Sequence, residues 1–205
     1  KVGVVWIDNR YGPGGQALYY QIIDSTGHID TVQNGVPVAP NNTDGSVFSQ
    51  DLQELCPDGN HGFFVSWVDN RAGTKRIRLS HVNSQGEVMF GDSGTVVWQA
   101  VRDQIVTYLA PDGQGGCYVA WSGHDQNFWM DVYVMRMTAD LQRAWPNGPA
   151  RLSNSQPDDV LRGLVSNPDG CCIVTWHSGP FEDVNVSAAR VCADGDTSWI
   201  MDVCD

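Results

Sequence analysis

Four tryptophans, Trp6, Trp67, Trp121 and Trp176, each close a short apolar run ("GVVW", "FFVSW", "CYVAW", "CCIVTW"), at separations of 61, 54 and 55 residues. This period constrains the fold more than any other feature, because a unit that recurs along a chain buries its apolar faces against its own neighbours and builds a scaffold. The punctuation recurs too. A Pro-Asp-Gly turn stands before the second, third and fourth runs, at Pro57 to Gly59, Pro111 to Gly113 and Pro168 to Gly170. There proline presets φ, aspartate bonds its own backbone and glycine takes the positive φ.

After each tryptophan come a polar loop and a second apolar stretch ("ALYYQIID", "RIRLSHVN", "VYVMRMT", "VNVSAARVC"). A turn and a third stretch follow ("NGVPVA", "SGTVVWQ", "NGPARLS", "TSWIMDVC"), and a fourth precedes each Pro-Asp-Gly ("SQDLQELC", "RDQIVTYLA", "VLRGLVSN"). Four short strands in about 55 residues is the pattern of a propeller blade. In "FFVSWVD", Phe63, Val65, Trp67 and Asp69 share one face while Phe64, Ser66 and Val68 share the other. Both faces are mostly apolar, as stacking between two neighbours demands; a β-sandwich, the alternative, would alternate more cleanly.

The expected fold is therefore all-β: a β-propeller or propeller fragment of about four blades of four antiparallel strands. The first blade is incomplete, since unit one begins at its tryptophan strand. The units fall at 1–60 (blade 1 with the first strand of blade 2), 61–114, 115–170 and 171–205, within one continuous repeat domain. An open arc exposes an apolar face at each end, so the expected partners are remaining blades or other subunits at the open end blades. The missing initiator Met points to a processed piece of a larger protein, and isolated residues 1–205 are expected to associate.

Twenty-four Asp and Glu against twelve Lys and Arg give a formal charge of −12, which repels phosphate backbones and anionic lipid surfaces. No nucleic-acid partner is expected, and no membrane insertion, since no apolar run approaches the ~18 residues of a span. Six cysteines (Cys56, Cys117, Cys171, Cys172, Cys192, Cys204) form no CxxC or Cys/His cluster, which argues against zinc and for disulfides in an oxidising compartment. Burial as small apolar side chains is the alternative. Cys117 and Cys172 occupy equivalent places in stacked sheets ~10 Å apart, too far to bridge. Cys171 faces the opposite way, and a Cys117 to Cys171 bridge across the blade interface is expected. Asn41 and Asn185 match the glycosylation acceptor pattern.

The string "APDGQGGCYVAWSGHDQNFWMDVYVMRMTADLQRAWPNGPARLSNSQPDD", with "WIDNRYG", "NGVPVAP" and "WVDNRAG", resembles the repeats of secreted bacterial β-propeller proteins, which are distantly sialidase-like. The resemblance covers essentially the whole chain. It implies an extracellular or cell-surface propeller, and such folds serve enzymes and binding scaffolds alike. Units three and four depart from it after the tryptophan, reading "WSGHDQ" and "WHSGPFED", and the Ser-x-Asp-x-Gly-x-Thr-Trp box of sialidases is absent.

Asp8 with Arg10, and Asp69 with Arg71, lie two residues apart at strand ends and point the same way. Two arginine forks there suit a carboxylate clamp on an acidic sugar, but a motif that recurs once per blade behaves like a packing element that ties down its own loop. "HDQNFWMD" (His124 to Asp131) is the most unusual loop: Phe128 and Trp129 beside Gln126, Asn127 and Asp131 suit a sugar face or a protein partner, or pack back onto a blade edge. His124 and His177 follow their tryptophans closely and read as solvated rim residues. Asp58, Asp112 and Asp169 each offer one oxygen where a calcium loop supplies several, so they read as turn formers. No metal or other cofactor is expected. With three glutamates and no nucleophile beside a base, no catalytic residue is assigned. The chain reads as a non-catalytic extracellular module for scaffolding or for binding a glycan or protein. The rival readings are a sialidase-like glycan-processing enzyme with Arg10 and Arg71 on the substrate carboxylate, and a subunit of a polymeric cell-surface structure.

Overall fold

The computed structural model describes residues 1–10, 17–30, 32–39, 50–71, 73–91, 93–154, 158–179 and 184–204, with backbone alone at 50–52 and 204. Asn41 lies outside these residues. The described chain is all-β, a propeller-like array of four antiparallel sheets in which neighbouring strands follow chain order. Blade 1 holds β1 (Val2–Asp8), β2 (Ala17–Ile23) and β3 (Val36–Ala39). Blade 2 holds β4 (Gln50–Pro57), β5 (Phe63–Asp69) and β6 (Arg76–Val82), edged by two short pieces, β7 (Val88–Met89) and β8 (Thr95–Val96). Blade 3 holds β9 (Gln104–Pro111), β10 (Cys117–His124), β11 (Met130–Met137) and β12 (Ala150–Arg151). Blade 4 holds β13 (Asp159–Ser166), β14 (Cys172–Ser178), β15 (Asn185–Val191) and β16 (Thr197–Cys204). The opening strand β9 of blade 3 packs against both β4 and β13.

The two-faced alternation of "FFVSWVD" becomes two interfaces. All seven residues of β5 are buried. Phe63, Val65 and Trp67 join Leu18, Tyr20, Ile22 and Val38 of blade 1 in one cluster, while Phe64 and Val68 join Val119, Val134 and Leu161 in the other. Polar groups bond across the blade 2/3 and blade 3/4 interfaces: Ser66 Oγ meets Thr107 Oγ1 at 3.1 Å in the first, while Leu161 N donates to Ser122 Oγ at 2.9 Å and Tyr118 OH donates to Gly170 O at 2.5 Å in the second. The outer strands of blades 2 and 3 are shorter than expected, whereas "TSWIMDVC" forms the full β16 of blade 4. "SGTVVWQ" and "NGPARLS" contribute two residues each, because the chain then leaves the sheet for the next blade.

The Pro-Asp-Gly turns do more than reverse the chain. Asp112 Oδ1 accepts the N–H groups of Gln114 and Gly116 at 2.7 and 2.8 Å, and its Oδ2 meets Arg136 of β11 at 2.8 Å. Asp58 with His81 and Asp169 with Arg190 repeat the arrangement. The turn of each inner hairpin is thus locked to the third strand of its blade. Gly116 is required there by close approach, since a Cβ would lie 2.3 Å from Met137 O and 2.7 Å from Asp112 Oδ2.

The expected bridge from Cys117 to Cys171 does not form. Cys171 pairs with Cys192, and Cys117 is a buried free thiol. Register explains this: Cys172 lies opposite Val191 in the β14/β15 hairpin, so Cys171 lies opposite Cys192 within one blade. Burial, together with the neighbouring Cys56, pushes the Cys117 thiol well above the ordinary range. Non-reducing peptide mapping should recover the Cys171 and Cys192 peptides linked, with Cys56, Cys117 and Cys172 free. The separation of 21 residues predicts that Cys192→Ser lowers unfolding free energy by about 3 kcal/mol in denaturant melts. An unchanged midpoint would show that the bridge does not hold blade 4.

The end blades keep apolar side chains at the surface: Val2 and Val4 on β1, and Ile200, Met201 and Val203 on β16. No described helix is long and apolar enough to cross a membrane. Asn185 is exposed at the start of β15.

Candidate functional site

In blades 1 and 2 the residues after the tryptophan form a plug. Trp6 Nε1 donates to Asp8 Oδ2 at 3.3 Å, and the Arg10 side chain donates to Asp8 at 2.6 Å and to Asn34 O at 2.8 Å. The Arg10 guanidinium lies 3.9 Å over the Tyr19 ring, which itself stacks on Trp6. That arginine holds the Asp8 carboxyl far below the usual carboxylate range. Blade 2 repeats the geometry, with Trp67 Nε1 to Asp69 Oδ2 at 3.3 Å and Arg71 on Asp69 at 2.7 Å. Neither Arg10 nor Arg71 lines a cavity described below, and each is joined to the aspartate two residues before it.

Blade 3 lacks the plug. The position of Asp8 and Asp69 is Gly123, and that of Arg10 and Arg71 is Asp125. Trp121 keeps its stacked partner, Tyr133, with ring centroids 5.7 Å apart, but no carboxylate of the described residues covers its indole N–H. The vacated volume opens into a cavity of about 520 Å³, within the range of small-ligand sites. Its aromatic walls are Trp98, Trp121 and Tyr133, and its polar lining includes Arg102, Gln104 and Arg151.

Each wall has a local cause. Trp98 leaves the blade 2 edge after β8 and lies on the outer turn of blade 3, where a Cβ on Gly148 would meet its ring at 2.9 Å. The Arg143 guanidinium covers the same ring at 5.1 Å. Gln104 opens β9, just before a bulge in which Val106 has no partner between Ile105 and Thr107. Val106 has φ of 50°, a strained value for a β-branched residue of the kind that clusters at binding sites. Gln104 is fully buried; its Oε1 accepts Ile77 N–H at 3.1 Å, and its Nε2 has no acceptor among the described residues.

The loop after β10 is an aspartate-anchored turn. Asp125 Oδ1 accepts the N–H groups of Asn127 and Trp129 at 2.7 and 3.0 Å. Phe128, at φ of 67°, is thereby pushed outward and is 63% exposed, with the Arg102 guanidinium 3.8 Å over its ring. Phe128 lines a smaller neighbouring cavity of about 260 Å³, which shares Val101, Arg102 and His124 with the larger one. Trp129 is half-buried and lines neither. His177 sits apart in β14, where Arg162 Nε donates to its Nδ1 at 2.7 Å.

Beneath the larger cavity, Asp131 Oδ2 accepts from Arg151 at 2.7 Å and from Tyr133 OH at 3.3 Å. Its Oδ1 is buried with no partner among the described residues. Burial outweighs the Arg151 attraction and raises the Asp131 carboxyl, while burial and the Asp131 charge push the Tyr133 phenol up to about 12. Asp131 thus fixes Arg151 and Tyr133 from below, leaving Asp125 as the carboxylate in the cavity wall. Asp24, His28 and Asp30 also lie close together on blade 1, but Asp24 is taken up by its own turn through Thr26 and His28 N–H.

The sequence pattern singles out Phe128 in this region, and the structure brings Arg102, 26 residues earlier, onto its ring. Pattern reading passes over Trp98, Arg102, Gln104 and Arg151. The visible signal was the "WSGHDQ" departure, legible as a lost ion pair and not as a space.

No protein-family profile and no curated protein sequence matches the chain. Solved structures similar in fold include an endo-arabinase from Bacteroides thetaiotaomicron VPI-5482, with a TM-score of 0.55 and 13% identity over 96% of this chain and 76% of the other. An endo-1,4-beta-xylanase from the same organism has a TM-score of 0.55 and 12% identity over 99% of this chain and 69% of its own. The neighbours are all-β proteins of bacterial glycoside-hydrolase type, and at this identity the likeness is one of fold.

Proposed function

We propose that the chain is a glycan-binding β-propeller module of a secreted bacterial protein, with the blade 3 cavity as its sugar site. The observation that carries this reading is the missing plug at Gly123, which leaves a stacked Trp121/Tyr133 pair and Trp98 around a cavity of sugar size. Aromatic rings bury the apolar C–H face of a sugar, and the surrounding amides and guanidinia bond its oxygens. The disulfide of blade 4 supports a place in an oxidising compartment outside the cell. The apolar edges of β1 and β16 support further blades or subunits as partners. A protein ligand or a polymeric surface structure would use those same edges.

Binding rather than cleavage is favoured by the carboxylates. Glycoside hydrolysis uses two of them flanking the bond, whereas here Asp125 lines the wall and Asp131 is sequestered under Arg151 and Tyr133. Calorimetric titration with arabino-, xylo- and glucuronoxylo-oligosaccharides tests the reading. At least one series should bind, and Trp98→Ala should weaken it by about ten-fold or more, as for loss of one stacking face. Release of new reducing ends, abolished by Asp125→Asn, would instead establish the glycan-processing enzyme. Silence across the whole panel would remove the sugar site.

A further inference from the structure

We propose that the blade 3 cavity selects carboxylated sugars, uronic acids, and that Arg102 is the residue that reads the carboxylate; this rests on the sugar-site reading above. The starting observation is a charge imbalance at one residue. Arg10, Arg71, Arg78, Arg136, Arg151 and Arg190 are ion-paired. Arg76 and Arg143 donate to carbonyls, and Arg162 donates to His177. Arg102 alone among the described arginines has no acceptor for its guanidinium N–H groups. In a chain with twice as many acids as bases, an unclaimed half-buried cation is unexpected.

Its setting turns that cation toward a ligand. The Arg102 guanidinium carbon lies 3.8 Å over the Phe128 ring, and the residue lines both cavities. A planar fork held by stacking is pre-organised for a carboxylate, and bidentate pairing in a partly buried site is among the stronger hydrogen-bond arrangements. The neighbouring charges are already committed. Arg151 is held by Asp131 and lies 4.0 Å from Asp125 Oδ2, Asp125 Oδ1 is taken by its turn, and Asp103 Oδ1 accepts Lys75 N–H at 2.9 Å. Among the described residues the buried Nε2 of Gln104 has no acceptor, and the Trp121 indole N–H, in the same lining, has no carboxylate on it. A set of donors around aromatic walls suits a sugar that brings more acceptors than donors. A uronate meets that condition further than a neutral hexose, because its carboxylate replaces the C6 hydroxyl donor with two charged acceptor oxygens.

The test compares two methyl glycosides that differ only at C6, methyl β-D-glucuronide and methyl β-D-glucoside, titrated by NMR into the chain at low salt. The acid should bind at least about ten-fold more tightly, as expected of one charge-assisted pair. That ratio should shrink as salt is raised. Arg102→Gln should bring the ratio to about one, and Arg102→Lys should keep part of the preference, with thermal melts confirming that both fold. A glucoside that binds as well as the glucuronide would overturn the selectivity and leave the sugar site standing. A ratio unmoved in Arg102→Gln would overturn the role of Arg102, and failure of both glycosides to bind would overturn the selectivity together with the site.

Discussion

Asp112→Ala is expected to lower the unfolding free energy by about 3–5 kcal/mol, the range for removing one partner of a buried ion pair. The carboxylate is 1% exposed and serves two elements at once, the turn through Gln114 and Gly116 N–H and the strand β11 through Arg136. Alanine leaves two donors unmet and a guanidinium, 16% exposed, with Gln114 Oε1 as its one remaining acceptor among the described residues. The equivalent pair in blade 4 sets the scale. Asp169 is 52% exposed, so Asp169→Ala should cost no more than about 1 kcal/mol. Urea melts of the two variants in parallel decide the matter. Equal losses would mean that burial is not what gives the Asp112 lock its strength.

Much of the scaffold was legible because its signals are local. Period-2 alternation placed Phe63, Val65 and Trp67 on one face, and that face is the one buried against blade 1. The Pro-Asp-Gly turns and the strands between them follow from φ preferences within a few residues. What was not legible depends on register between distant segments. Stacking of blades matches Cys171 to Cys117, whereas its partner lies across its own hairpin at Cys192. The basic partners of the turn aspartates recur at separations of 23, 24 and 21 residues and were open to discovery in the repeat itself. The cavity was not, since Trp98 and Arg102 belong to the linker from blade 2, Trp121 and Tyr133 to the centre of blade 3, and Arg151 to its edge. The sequence marked the place only through what unit three lacks.

That absence is the centre of the account, and putting the missing residue back tests it. The φ at Gly123 is not in the left-handed region, and a Cβ there would meet Trp121 Nε1 at 3.3 Å, Trp121 Cδ1 at 3.4 Å and Tyr133 Cε2 at 3.5 Å, so aspartate fits with small adjustments. Its carboxylate would accept the Trp121 indole N–H as Asp8 and Asp69 accept those of Trp6 and Trp67. The new side chain would occupy the floor of the cavity and set a negative charge against a carboxylated ligand. Fold and stability should survive, because the arrangement is the one blades 1 and 2 already use, and the melting midpoint should stay within a few degrees of the parent. The decisive measurement is a calorimetric titration of the parent chain and Gly123→Asp with a glucuronic-acid-bearing xylo-oligosaccharide. The account predicts binding by the parent and a loss of at least about a hundred-fold in the variant; undiminished binding by a folded Gly123→Asp would contradict it.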